Sequence, residues 1–321
     1  MVKKYARADA KDYAREKLRG IYAANLTPFT DTLAVDAQGL RSNLRHWIDD
    51  LGLDGLFING KQAEFFSMSI GERKQQFEIV MDEVGDRCGT MMSCSDENLS
   101  VVLELGQHAI NLGADWIIVH TPPLYFHHDV DTVLTEYYRY LTEQLDIGIA
   151  IWHQPDYGYV LQPETVARIA ELPGIVAIKY SVERALYARL TELAHDRLIV
   201  STSSEDQWLE NVVELGWQVY LCSTPPYLMQ TSSDRRMGEY TRLAMSGDVT
   251  AARAVRDSLD PVRAALKDTR PADKPQAQQK YWQSLLGQSG GPVRRPLLNL
   301  SDAEKEVVHR AFDACGLSKS P

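Results

Sequence analysis

The residue to start from is a lysine at the end of an apolar run. Ile175-Val-Ala-Ile leads directly into Lys179-Tyr-Ser181, and such a run closed by a cation reads as a buried strand whose last turn outward carries an amine. Burial disfavours the ammonium form, and the neutral amine is what attacks a carbonyl carbon to make an imine. The same lysine reads equally as a strand-end cation paired with a carboxylate. Other apolar runs end in polar groups too: Thr27 after the first; Asn59, Lys61, Gln62 and Glu64 after the second; His120 and Tyr125 after the fourth; Trp152 and His153 after the fifth; Ser203, Ser204 and Glu205 after the seventh. Charged groups crowded on one rim must be paired or desolvated, so a binding site is the better account of that set.

The elements that would position these groups alternate. Expected strands are Ile21–Leu26, Gly55–Asn59, Gly89–Cys94, Asp115–His120, Ile147–Trp152, Ile175–Ser181, Arg197–Ser201 and Gln218–Cys222. Helical patterns lie between them, opened by Asp36, by a Ser69/Glu72 capping box and by Pro163 in a first turn. The strands are near-continuous apolar runs, as expected when both faces are covered, and eight βα units are the count that closes a parallel barrel. The expected fold is therefore α/β, a (β/α)8 TIM barrel with additional C-terminal helices. An open doubly wound sheet is the alternative, but no strand is followed by GxGxxG. The organisation expected is a helical lead-in over 1–20, the catalytic barrel over 21–233, and a helical region over 234–321 packed on the barrel. In that region a helix over Asp248–Lys267 is bent or split at Pro261, and Ser301 with Glu304 caps a terminal helix.

The bulk numbers exclude several classes. The 321 residues are 44% hydrophobic and 24% charged with a net charge of -10, which argues against nucleic-acid or anionic-membrane partners while leaving room for a local cationic pocket. Cys88, Cys94, Cys222 and Cys315 form no CxxC pair, so neither a disulfide framework nor zinc is indicated. No signal core or membrane-length apolar run is seen, and a cytoplasmic location is expected. His127-His128-Asp129 invites a metal reading, but adjacent loop histidines point apart and no third ligand has helpful spacing. The expectation is no metal.

Short motifs carry a resemblance. Leu26-Thr-Pro-Phe29, Asn59-Gly60 with Glu64, Thr121-Pro-Pro-Leu-Tyr-Phe126, Pro163-Glu-Thr-Val166 and Ile178-Lys179 fall in order on the expected βα loops. Together they resemble the dihydrodipicolinate synthase/N-acetylneuraminate lyase family from about Gly20 onward. The resemblance implies a barrel with extra C-terminal helices, a homo-oligomer (dimer or tetramer), and a lysine imine with pyruvate or another 2-oxo acid, without an external cofactor. Lys179 matches the imine lysine. Tyr125 matches the second tyrosine of the family's PYY stretch, which in many members reaches into a neighbouring subunit's site.

Two departures bear on the chemistry. The family's strand-five tyrosine, in a YNxP-like stretch, is replaced in Trp152-His-Gln-Pro155. An indole offers only a donor, so acid-base work passes to His153, His120, Tyr125, a water or the substrate. The GTTGE-like loop reads Gly60-Lys-Gln-Ala-Glu64. Lys61 there would pair with a substrate carboxylate or depress the pKa of Lys179, or else brace the rim against Glu64 or Glu205. The candidates are thus Lys179, Tyr125 and His153 for catalysis and Thr27, Lys61, Gln62, Glu64, His120, Trp152, Ser204 and Glu205 for substrate binding. The function expected is a Schiff-base-forming carbon–carbon lyase or aldolase, with or without a hydration step. The alternatives are a 2-keto-3-deoxy acid dehydratase using the same imine and a non-catalytic barrel that binds a small acid.

Overall fold

A computed structural model describes residues 4–125 and 128–317. Phe126 and His127, two positions of the motifs above, lie outside the described residues. Among those described, eight strands form one sheet: β1 Gly20–Ala24, β2 Gly55–Ile58, β3 Gly89–Ser93, β4 Trp116–His120, β5 Gly148–His153, β6 Ile175–Tyr180, β7 Ile199–Ser201 and β8 Val219–Leu221. The order is β7-β6-β5-β4-β3-β2-β1-β8, so each strand lies beside its predecessor in the chain and β1 pairs with β8 in parallel. The Leu221 N–H donates to Ser201 Oγ at 2.9 Å and bridges β8 to β7. This is the (β/α)8 TIM barrel with additional C-terminal helices.

The chain divides into two compact units, Met1–Tyr22 with Gly89–Cys222 and Ala23–Cys88 with Ser223–Pro321. In the first, β3 to β7 pair in parallel and alternate with α4 Leu99–Leu112, α5 Val130–Gln144, α6 Pro163–Ile169, α7 Arg184–Ala194 and α8 Trp208–Leu215. Every residue of β4, β5 and β6 is buried, which is why the sequence there is apolar on both faces. Gly89 opens β3 because a Cβ would collide with the Tyr22 hydroxyl. The lead-in helix α1, Ala10–Lys17, is docked through Asp115, which accepts from Lys4 Nζ at 2.8 Å, Tyr13 Oη at 2.7 Å and the Thr90 N–H at 2.9 Å.

The second unit holds β2, α2 Ala37–Arg45, α3 Ile70–Val84 and the C-terminal helices α9 Arg236–Ser246, α10 Val249–Asp257, α11 Asp260–Asp268, α12 Pro275–Leu285 and α13 Asp302–Ala314. Asp36 caps α2, and both capping boxes form. Pro261 splits the expected long helix: α11 begins anew with the proline in its first turn, where its missing N–H costs nothing.

Strand ends shift for identifiable reasons. The seventh starts at Ile199, not Arg197, because the Arg197 and Leu198 N–H groups both turn back to Ala194 O. The first stops at Ala24, since the Leu26 N–H is claimed by the Tyr227 hydroxyl at 2.9 Å.

Candidate active site

Lys179 is the last but one residue of β6 and is 1% exposed. Register places His120 opposite Trp152, Trp152 opposite Lys179 and Lys179 opposite Ser201. Paired residues on parallel strands share a face, so these four side chains form one row across β4, β5, β6 and β7. Within it the Lys179 Nζ donates to Cys222 O at 2.8 Å and lies 5.5 Å from the centre of the Trp152 ring. The amine is thus held by a carbonyl and an indole face in an almost dry setting.

His120 is 6% exposed. Its Nδ1 is 2.7 Å from Thr121 O, and a carbonyl only accepts, so Nδ1 carries the hydrogen. Nε2 is then the nitrogen without the hydrogen in the neutral ring, and it lies 3.4 Å from Asp156 Oδ2. The ring meets Trp152 at 4.8 Å and Tyr157 at 5.2 Å, edge to face. Asp156 and Tyr157 lie in the short 3-10 turn after β5.

His153 is on the other face. Successive strand residues point oppositely, and its ring packs with Tyr159 and Tyr180 rather than with Trp152 and Lys179. Nε2 accepts from the Leu161 N–H at 3.1 Å, so Nδ1 bears the hydrogen and donates to Thr121 Oγ1 at 3.0 Å. Burial, helped by the neighbouring His120, pushes its pKa down to about 3. A neutral ring with both nitrogens engaged positions Thr121 and leaves neither nitrogen turned to the face that carries Lys179. Between about pH 6.5 and pH 3 the unfolded chain binds a proton here that the folded one refuses, so stability falls with acidification by up to about 1.4 kcal/mol per pH unit; above pH 6.5 the group contributes nothing. In His153→Gln the difference in unfolding free energy between pH 7 and pH 5 should shrink accordingly. Urea titrations at both pH values measure it; an unchanged difference would mean that this ring titrates normally.

Tyr125, on the β4–α5 loop, is 82% exposed. Ser204 is half-buried and Glu205 buried in the 3-10 turn after β7. His128 is exposed, and Asp129 accepts from the Thr132 N–H as the α5 cap. Among the described residues no group of three His, Cys, Asp or Glu side chains is placed to hold a metal ion.

In the second unit Thr27 is fully buried: its hydroxyl donates to Ala63 O at 2.8 Å and accepts from Gln76 Nε2 at 3.0 Å. Asn25 Nδ2 donates to Gln76 Oε1 at 3.0 Å, and Asn25 Oδ1 accepts from the Asn59 N–H at the same distance. This network fixes the loop after β2, whose Asn59 and Glu64 both hold φ of 61°. A left-handed glutamate needs support. Glu64 receives it from Lys280 Nζ at 2.6 Å and the Arg294 N–H at 2.8 Å, with Lys280 and Arg294 each 4.2 Å from the Phe29 ring centre. Glu64 and Lys280 are 0% and 1% exposed. The brace foreseen for Glu64 therefore comes from Lys280, which nothing in the spacing of α12 separates from a solvated lysine. Lys61 and Gln62, on that loop, are half-buried. Burial alone pushes the Lys61 pKa down to about 8.

The geometry is that of a parallel barrel with a buried lysine near a strand end, and sequence comparison decides the family. The model described as the dihydrodipicolinate synthetase family matches residues 17–315. The chain belongs to that family. A relative from Methanothrix thermoacetophila, named 4-hydroxy-tetrahydrodipicolinate synthase, is 31% identical over 307 residues, 93% of this chain and 98% of that protein. Among solved structures, a monomeric dihydrodipicolinate synthase variant shares the fold with a TM-score of 0.80 at 24% identity, over 94% of this chain and 97% of that one. An Escherichia coli K12 prophage protein of the dihydrodipicolinic acid synthase family, solved in complex with pyruvate, gives 0.80 at 22%, over 94% and 99%. The dihydrodipicolinate synthetase family is one of lyase-type enzymes, and this member keeps its scaffold while carrying Trp152 and Lys61 at its strand ends.

Proposed function

We propose that this chain is a Schiff-base-forming carbon–carbon lyase or aldolase that acts on pyruvate or another 2-oxo acid through an imine on Lys179. The observation that carries the reading is the row His120–Trp152–Lys179, which sets a nearly dry amine against an aromatic wall with an imidazole on the far side of that wall. The Nζ lone pair attacks the keto carbon, water leaves, and the resulting iminium draws electrons from the adjacent carbon. In the cleavage direction the C3–C4 bond breaks, its electron pair forms the enamine, and the C4 hydroxyl proton passes to a base as the aldehyde forms. His120 Nε2 is that base, with Asp156 stabilising the imidazolium. The enamine takes a proton at C3, and water hydrolyses the imine to release the 2-oxo acid. The sequence balances without an external cofactor.

Trp152 supplies shape where a tyrosine would exchange protons. Its bulk favours a flat or hydrophobic acceptor over a polyhydroxylated chain. Lys61 anchors the substrate carboxylate, with Gln62, Ser204 and Glu205 as further binding groups, while Thr27 and Glu64 hold the loop that presents Lys61. Tyr125, so exposed on its loop, completes the site of a neighbouring copy in a homo-oligomer.

Two experiments test the reading. Incubation with pyruvate in D2O should wash deuterium into the methyl group, seen as loss of its proton NMR signal; exchange no faster than buffer, with the fold intact, would favour a barrel that binds acids without turning them over. Lys61→Met should raise the KM for pyruvate about ten- to a hundredfold, the worth of a charge-assisted hydrogen bond. Lys61 loses its charge as pH rises through about 8, so wild-type affinity should weaken above that pH and the variant should lack this limb. Equal profiles would make Lys61 a brace.

A further inference from the structure

The first unit holds a second cavity, at the end of the barrel where the strands begin. It has a volume of about 250 Å3 and is bounded by α1, the loop after α7 and the loop after α8. Lys11, Arg15, Arg19, His195 and Arg197 line it, and no carboxylate does. In a chain of net charge -10 that is an unusual concentration of one sign. The cavity of the second unit that contains Arg45 and His46 is balanced by Asp49 and Asp50.

We propose that this cavity binds a small multiply charged anion, one bearing phosphate or carboxylate groups. Three arginines and a lysine around one void repel each other, and an anion is what relieves them. Local carboxylates do so only in part: Asp196, 64% exposed, meets Arg197 at 2.7 Å, and Asp12, 84% exposed, meets Arg15 at 3.6 Å. The Lys11 pKa is lowered, first by burial and then by Arg197 and Arg15, against a smaller opposing pull from Asp196 and Glu171. Part of the cationic character serves helix ends, since Lys11 Nζ donates to Ala170 O at the end of α6. That leaves the guanidinium groups of Arg15, Arg19 and Arg197, whose fork geometry suits phosphate and carboxylate oxygens. The Arg197 Nε is buried and has no hydrogen-bond partner among the described residues.

The floor is fixed and apolar. Leu198, Ile199, Val200 and Leu215 form it with Trp217, whose indole N–H is already held by Thr191 Oγ1 at 2.9 Å. Val176 is aimed there by a bulge: Ile149 pairs with Ile175 and Ala150 with Ala177, which leaves Val176 as the extra residue. The volume falls just below the roughly 300 Å3 at which pockets for drug-sized ligands begin, so the occupant is small. Val176 precedes Lys179 by three residues, about 10 Å along β6, so an occupant would sit on the strand that carries the amine.

Titration calorimetry with pyrophosphate and with citrate, at ionic strength matched with sodium chloride, tests this and separates the two sources of charge. At least one should saturate at one site per chain, and the Arg15→Gln/Arg197→Gln variant should weaken it tenfold or more. Both arginines are partly exposed, and an unchanged circular dichroism spectrum and Tm would show that the variant folds. A second readout needs no variant: the His195 ring protons of the wild-type protein should shift on titration with the same anion. Failure of both anions to saturate, equal binding by the folded variant, or saturation without movement of His195 would each overturn the assignment.

Discussion

Replacement of Lys179 by alanine should lower turnover of a 2-oxo acid substrate by about four orders of magnitude or more, the scale seen when a covalent nucleophile is deleted. Lys179→Arg should be no better, because a guanidinium stays protonated and cannot form an imine. The fold should survive the change to alanine. Alanine removes an amine that donates to Cys222 O at 2.8 Å, and a neutral methyl leaves no buried charge. Steady-state cleavage assays measure the loss, with near-ultraviolet circular dichroism as the control. Activity within tenfold of wild type in a folded Lys179→Ala would remove Lys179 from the reaction.

Lys280→Met should cost about 3–5 kcal/mol of folding stability, because it leaves the Glu64 carboxylate in a fully buried site without its cation. The Lys280 pKa is already down to about 8, burial outweighing the attraction of Glu64, and each member of the pair offsets the burial of the other's charge. In Glu64→Gln/Lys280→Met the amide oxygen can still accept the Arg294 N–H and no charge is stranded. The double variant should therefore lose much less stability than the two single losses added together. Urea unfolding of the three variants gives the coupling energy. Additive losses, or a Lys280→Met cost under about 1 kcal/mol, would mean that the pair is incidental. A cost of the predicted size is a large share of a typical 5–15 kcal/mol total, and it falls on the unit that presents Lys61.

The barrel was legible because the apolar runs were long enough to define their own ends. Eight of them, punctuated by glycines such as Gly55, Gly89 and Gly148 and by the Ser69 and Ser301 capping boxes, leave little freedom in topology. Lys179 was legible for the same reason: a cation in the last turn of a buried strand is conspicuous. Which strand-end group faces it was not, since that depends on register. His120 and His153 look alike as histidines near strand ends, yet one step along β5 moves His153 to the opposite face, while β4–β5 pairing brings His120 beside Trp152. Lys280 was missed because α12 is rich in glutamine and reads as a solvated helix, whereas Gln278, Gln279, Lys280 and Gln283 are all buried. Asp156 meets His120 only through the turn after β5, a contact that no local spacing announces.

The imine itself can be caught directly. Incubating the protein with pyruvate and sodium borohydride, digesting it and locating the reduced adduct by mass spectrometry should place one pyruvate-derived modification per chain on the peptide containing Lys179, absent when pyruvate is omitted. A stable wild-type chain that yields no adduct, or one that carries it on Lys61 or Lys280, would contradict the account.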